Sequence, residues 1–247
     1  MAHIYDPNIY RLELALAQGN YFNDSNIESS QKESFSRKLP SDVAKKLNKQ
    51  HLPFREQRVK SALYSHEVCR KIDLNSLDKR TLFVIAKRLN KKTVICSANC
   101  ALISRVFLYN MAHEQERLSV GNPSLPFLPL LGRELKSVLS VKLLKENIPN
   151  VKILKEQLLA CYHETKETVF EIGYLRKLPI TDYSVGHNFN AVILFDSENK
   201  PYVQLVDAWA KSNPTPNEQQ VAKKYHKGRF SIAIADHRQL YIDNIET

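Results

Sequence analysis

Cys100, His187 and Asp207 have the residue types and the chain order for covalent acyl chemistry. A thiol attacks a carbonyl only as thiolate. It therefore needs a lowered pKa, a base within hydrogen-bond reach and a place for the oxyanion that forms. The stretch "SANCALISRVFLYNMAHEQERL" offers part of this. Ile103, Val106, Phe107 and Met111 recur at helical spacing, which predicts a helix with one buried face. Ser97 or Asn99 is placed to cap it, so Cys100 falls in or just before the first turn. Unpaired N–H groups at a helix start favour negative charge on a sulfur, and on the oxygen of a tetrahedral intermediate.

The other two residues lie on "VGHNFNAVILFDSENKPYVQLVDAWAK", which predicts two apolar strands around a polar turn. One strand opens on His187 and the other closes on Asp207. A turn centred on Ser197 or Glu198 puts the two side chains on one face, directly opposite or diagonal, because strand side chains alternate. Asp207 then accepts a hydrogen bond from one ring nitrogen and orients the other toward a thiolate. An even-length turn over 197–200 puts them on opposite faces. Trp209 follows at once and shields the contact if its ring folds back. Asn188 and Asn190 alternate away from His187, which predicts solvent-facing side chains, although Asn188 is near enough to line a cleft.

Each of these residues alone has an ordinary explanation: a helix-starting cysteine, a polar strand end, a turn acid. Function has to come from their geometry together. Cys69 and Cys161 are predicted within helices, and Cys96 lies too early for a helix start. All three read as small buried hydrophobes. No CxxC pair or His partner makes a zinc site, and no glycine-rich phosphate loop is present, so neither metal nor nucleotide cofactor is expected. His66, His113, His163, His226 and His237 lie among charged neighbours and read as surface residues. The tyrosines read as structural.

These residues need elements to position them. Residues 1–92 are expected to form a mostly helical, basic extension, and 93–247 the core. "SDVAKKLNKQ" has a capping Ser41 or Asp42. "REQRVKSALYSHEVCRKI" is read as a helix with Val59, Leu63 and Val68 on one side. "SLDKRTLFVIAKRLN" starts on Ser76 and buries Leu82, Ile85 and Leu89. After the proline-rich bridge "GNPSLPFLPLLG", two further helices are expected over "RELKSVLSVKLLKEN" and "NVKILKEQLLACYHETKETVFEIGYLRKL". The hairpin and "GRFSIAIADHRQLYID" supply strands. Helices first and strands last predict an α+β fold, with helices packed to one side of an antiparallel sheet.

A composition of 43% hydrophobic and 25% charged residues suits a globular protein and excludes general disorder. The N-terminus lacks the pattern of a secretory signal, and no apolar run reaches membrane-helix length. The net charge is +10, with basic residues crowding 37–60 and recurring at Lys87, Arg88, Lys91 and Lys92. This is either a solvated helix face or a surface for an acidic protein or anionic membrane. No nucleic-acid motif accompanies it.

"NCALIS", "GHNFNAVILFD" and "VQLVDAWA" together resemble the papain-like and transglutaminase-like superfamily. More narrowly, they resemble its bacterial secreted effectors with a Cys-His-Asp triad. Asn99–Cys100, His187 with Phe189, and Asp207-Ala208-Trp209 carry the likeness. Ala101, Ala208 and Val94 depart from it. Val94 occupies the place of a glutamine oxyanion donor and leaves that donor unassigned. The resemblance implies a papain-like α+β fold, with the cysteine's helix on a C-terminal antiparallel sheet. It implies a cysteine protease, deamidase or transglutaminase without cofactor, with catalytic Cys100, His187 and Asp207. Asn99, Asn188 and Trp209 would lie around substrate and oxyanion. The substrate would be a host protein, reached in the host cytoplasm through a bacterial secretion system. The rival expectation is a non-catalytic adaptor that engages an acidic partner through its basic helices.

Overall fold

The computed structural model describes residues 59, 61–94, 97, 99–123, 140–177 and 184–236. The basic segment up to residue 58, Lys60, Cys96, most of the proline-rich bridge and the C-terminal eleven residues, His237 included, lie outside the described residues. The described chain is α+β. Strand β1 (Leu63–Lys71) leads through a short 3-10 turn at Leu74–Ser76 into α1 (Lys79–Leu89). Then come α2 (Cys100–Ala112), β2 (Gln115–Val120), β3 (Val141–Ile148), α3 (Val151–Thr165) and β4 (Val169–Lys177). The chain continues through β5 (Ser184–Phe195), β6 (Pro201–Val206), α4 (Glu218–Lys224) and β7 (Arg229–Ala235).

Strands β1 and β2 pair antiparallel as a two-stranded ribbon. The other five form an antiparallel sheet in the order β3-β7-β4-β5-β6. Both faces of this sheet are covered. On one face, α1, α2 and the ribbon build a core with Val192 and Leu194 of β5 and Val206 of β6. On the other, α3 and α4 pack on Phe189, Ala191 and Ile193 of β5 and on Val203 and Leu205 of β6. Alternate side chains of one strand thus enter opposite cores, which explains the unbroken apolar run of the hairpin.

Helix α2 forms as its periodicity predicts, but it is buried nearly all round, with Leu102, Ile103, Val106, Phe107, Leu108 and Met111 at 2% exposure or less. Such a helix belongs inside the molecule rather than on its surface. Helix α1 buries the expected Leu82, Ile85 and Leu89; its N-cap is Asp78, whose side chain accepts from the Thr81 N–H at 2.6 Å, rather than Ser76.

Three expected helices are corrected. "LYSHEVCRK" is strand β1, where Val68 is 84% exposed and Cys69 is exposed rather than buried. "VKLLKENI" is edge strand β3, paired with β7. The third stops at Thr165, where Lys166 takes a left-handed conformation (φ 62°), and the chain resumes as β4. Leu, Lys and Glu are good helix formers, but pairing with an adjacent strand outweighs a preference of a few tenths of a kcal/mol per residue. Cys161 is buried on α3, as expected.

Candidate active site

The hairpin register is fixed locally. Pairs run from Asn190↔Val206 to Phe195↔Pro201, so the turn centres on Glu198. Asp196 closes it: its Oδ1 accepts from the N–H of Glu198 at 2.9 Å and of Lys200 at 2.8 Å, and Asn199 supplies the positive φ of 59°. An odd loop with this centre puts His187 diagonal to Asp207 on one face of the sheet. Ring Nε2 of His187 lies 3.0 Å from Asp207 Oδ1.

Cys100 joins them from the other layer. Strand β6 stops pairing with β5 at Asn190, where its chain diverges and the Asp207 N–H turns to the Pro214 carbonyl at 2.8 Å. The start of α2 meets this open edge of β5. The half-buried Cys100 there lies beside the His187 ring and the backbone N–H of Asn188, close enough for both to lower its pKa. With Nε2 on Asp207, the nitrogen facing the sulfur is Nδ1.

The helix start is left open to an anion. No side chain caps α2, and the first intrahelical bond runs from Ile103 N–H to the Asn99 carbonyl at 2.9 Å. The N–H groups of Cys100, Ala101 and Leu102 come before it, at the positive end of the helix dipole. Asn99 occupies the cap position, but its side-chain amide donates to the Gly121 carbonyl. It is therefore not aimed at an oxyanion.

The electrostatics follow from burial against charge. Burial pushes the Cys100 thiol up, and the Asp207 carboxylate adds to that. The His187 charge and the hydrogen bonds from His187 and Asn188 outweigh both, so the thiol lies below its ordinary value. For His187, burial disfavours the charge, but Asp207 and Cys100 prevail and raise it to about 9. Burial would raise Asp207; His187 and Lys224 instead hold it down at about 2. Both shifts run in the direction that a thiolate–imidazolium pair braced by a carboxylate requires.

Trp209 folds back onto the pair. Its ring meets His187 edge-on at 5.5 Å, and its Nε1 donates to the Ser97 carbonyl at 2.8 Å. The turn that carries it is held by Asn90, whose Nδ2 donates to the Ala208 carbonyl at 2.7 Å. Lys92 covers the outer face of the indole at 3.4 Å and is buried, so it is no part of a solvated basic face. Asn188 and Asn190 are corrected: both are buried against α2 rather than solvent-facing. Asn190 Nδ2 donates to the carbonyls of Ser104 at 3.1 Å and Phe170 at 3.3 Å. Asn188 Nδ2 donates to Glu171 at 2.8 Å, so Asn188 offers the site its backbone amide and not its side chain.

Two groups at the site carry no signal of their own in the sequence. Lys224 Nζ and the Tyr225 hydroxyl reach Asp207 Oδ2 at 3.1 and 3.3 Å. Only their helix is marked, by the capping box of Asn217 with Gln220. Tyr225 is thus more than the structural tyrosine expected. His163 and His226 are exposed, whereas His66 and His113 are partly buried. Among the described residues no cluster of three metal-ligating side chains occurs, and no helix is long and apolar enough to cross a membrane.

Comparison with known proteins places most of the chain. The family model described as Salmonella plasmid virulence protein SpvD matches residues 29–236. Virulence protein vsdE of Salmonella typhimurium and virulence protein SpvD of Salmonella dublin are each 27% identical over 185 residues, which is 74% of this chain and 86% of theirs. A solved variant of the Salmonella effector SpvD superposes with a TM-score of 0.64 at 27% identity, over 80% of this chain and 99% of that one. A second variant superposes at 0.52 and 23% identity, over 83% and 100%, and bears on the fold alone. With most of its length matched by the family model, the chain belongs to the SpvD family and is a bacterial virulence effector of that type.

Proposed function

We propose that the protein is a thiol enzyme that transfers the acyl group of a peptide or carboxamide bond in a protein substrate through a Cys100 thioester. One observation carries this reading. A cysteine at an uncapped helix start lies beside a histidine whose charge lowers its pKa, and Nε2 of that histidine lies 3.0 Å from a buried aspartate. These are the parts a thiolate needs: a lowered pKa, a proton carrier and an orienting acid.

Cys100 Sγ attacks the carbonyl carbon. The oxyanion is held by the free N–H groups of the first turn of α2. Imidazolium Nδ1 of His187 then gives its proton to the leaving nitrogen, and the amine or ammonia departs. Neutral His187 next takes a proton from water or from an acceptor amine, which attacks the thioester and releases Cys100. Asp207 holds Nε2–H throughout and balances the imidazolium charge. Water yields proteolysis or glutamine deamidation; an amine yields transglutamination.

The layering favours a papain-like core: a helix-opening cysteine on an antiparallel sheet whose hairpin supplies the base and the acid. Membership of an effector family supports a host protein as substrate, met after secretion into the host cell. The test is incubation of candidate host proteins with the wild type and with Cys100→Ala, followed by intact-mass measurement and peptide mapping. A cut, an amide-to-acid mass change or a new cross-link that needs Cys100 supports the reading and says which acceptor is used. Identical maps from both proteins overturn it.

A further inference from the structure

His187 uses only one oxygen of the Asp207 carboxylate. The other, Oδ2, faces the Lys224 ammonium at 3.1 Å and the Tyr225 hydroxyl at 3.3 Å. Both groups come from one place, the last residue of α4 and its C-cap. The acyl-transfer steps above need neither. Yet Asp207 is 3% exposed and Tyr225 6% exposed, so these contacts are built into the fold.

Ring geometry ties the same residue to the base. The Tyr225 ring lies nearly parallel to the imidazole (5.7 Å, 16°) and to Phe189 (5.5 Å, 6°). Its far side packs on Tyr174 at 4.7 Å and on the edge of Phe230 at 6.4 Å. The turn after it is pressed against the sheet. A Cβ at Gly228 would lie 2.2 Å from the Tyr174 ring and 2.5 Å from the Leu175 carbonyl, so only glycine lets the chain pass there. Tyr225 is therefore held by packing on β4 and β7 as well as by its contacts with His187 and Asp207.

Charge supplies a second argument. A thiolate, an imidazolium and a carboxylate sum to one negative charge, which is costly to bury alone. Lys224 offsets it while keeping half of its side chain in water. The other charged or titratable groups nearby point elsewhere. Lys92 covers the outer face of Trp209, Arg105 and Glu171 pair with each other behind Asn188, and Tyr174 lies behind Tyr225. A cavity of about 230 Å³ reaches Asp207 between α4 and the segment 210–216. Lys224 and Tyr225 line it, and they occupy the oxygen that water in that cavity would otherwise take.

We propose that Lys224 and Tyr225 are positioning residues that tune Cys100 through Asp207 and His187, Lys224 by setting the net charge of the site and Tyr225 by fixing the carboxylate and the plane of the ring. The inference rests on the thiol reading of Cys100. Lys224→Met makes the site one charge more negative and so disfavours the thiolate. Tyr225→Phe keeps the ring but removes a donor that competes with the imidazolium for the carboxylate, so the imidazolium gains.

The experiment needs no substrate. Iodoacetamide labelling of Cys100 in the full chain is followed against pH by mass spectrometry, with the exposed Cys69 as internal reference, and the His187 ring is titrated by NMR. In the wild type, Cys100 is expected to label with a midpoint well below that of Cys69, and His187→Ala should abolish the difference. Lys224→Met is expected to raise the Cys100 midpoint by roughly half a unit to one unit, as loss of a nearby charge at intermediate dielectric implies. Lys224→Arg should restore it, and Tyr225→Phe should raise the His187 midpoint. A merely structural role would lower Tm without moving either midpoint. If the wild type behaves as expected but both variants superpose on it, the positioning role is overturned and the thiol reading stands. If wild-type Cys100 labels like Cys69, both fall together.

Discussion

On one face of the five-stranded sheet the nucleophile's helix is fixed by polar links; on the other, the base and the acid are fixed by rings. Helix α2 is tied to β4 and β5 through Ser104, whose hydroxyl donates to the Phe189 carbonyl at 3.2 Å, and through Asn190. One turn from Cys100, Arg105 pairs with the buried Glu171, which also accepts from Asn188. The opposite face has Phe189, Tyr225, Phe230 and Tyr174 in mutual ring contact around His187. The difference is instructive. A sulfur that must meet one backbone N–H and one ring nitrogen needs directional restraints, and hydrogen bonds are directional. An imidazole already aimed by a carboxylate needs its plane held and water kept away, and stacked rings do both.

The comparison can be broken by removing one restraint from each face. Phe189→Ala and Arg105→Leu should each destabilise the fold by about 3–5 kcal/mol, the first through a cavity and the second through an unpaired buried carboxylate. They part on pH. A buried carboxylate is relieved by taking up a proton, so the Arg105→Leu penalty shrinks in acid, whereas a cavity does not titrate. Urea denaturation at pH 5 and pH 8 reads the difference; equal penalties at both would erase the contrast between polar and aromatic restraint.

The coupling between the faces has its own pH signature. His187 has a raised folded pKa, so its contribution to stability is complete below its ordinary 6.5 and is lost as pH rises through about 9. Cys100 is depressed, so its contribution is complete above its ordinary 9.0 and is lost as pH falls. Between these limits a proton moved from sulfur to ring leaves the bound total unchanged, and the two slopes offset. Wild-type stability should therefore change less from pH 6.5 to 9 than that of Cys100→Ser, which keeps only the His187 part and should lose stability as pH rises. Chemical denaturation of both proteins across that range decides it. A smaller effect lies at the turn that gives both faces their register. Asn199→Ala places an ordinary side chain at φ 59° and should cost about 1 kcal/mol, while Asn199→Gly should cost nothing or stabilise slightly. Tm measurements on the two variants separate strain from lost contacts.

Much of this arrangement is legible in the chain. The periodicity of Ile103, Val106, Phe107 and Met111 marks the helix that Cys100 opens. The apolar hairpin is legible too, but not its register. The sequence allows turns centred on Ser197 or Glu198 and an even turn over 197–200, and the structure selects Glu198, with Asp196 and Asn199 shaping the loop. Strands β1 and β3 were not legible, because their residues suit helices and only a partner strand makes them extended. Lys224 and Tyr225 were not legible either, since nothing in an ordinary amphipathic segment says that its end will point at a carboxylate seventeen residues earlier.

The sequence by itself determined what acts locally: the helix that begins at or just after Cys100 and the two alternating strands that carry His187 and Asp207, whereas the odd turn that sets the pair diagonally on one face is read from the structure. The helix and the strands follow from side-chain periodicity. Only the tertiary structure decided that the open edge of β5 meets the start of α2, which brings Cys100 to His187 across 87 residues. It also decided that α4 closes on the far oxygen of Asp207. Both outcomes depend on packing two layers against opposite faces of one sheet, where contacts are chosen by the shape and burial of the whole and no short stretch of sequence encodes them.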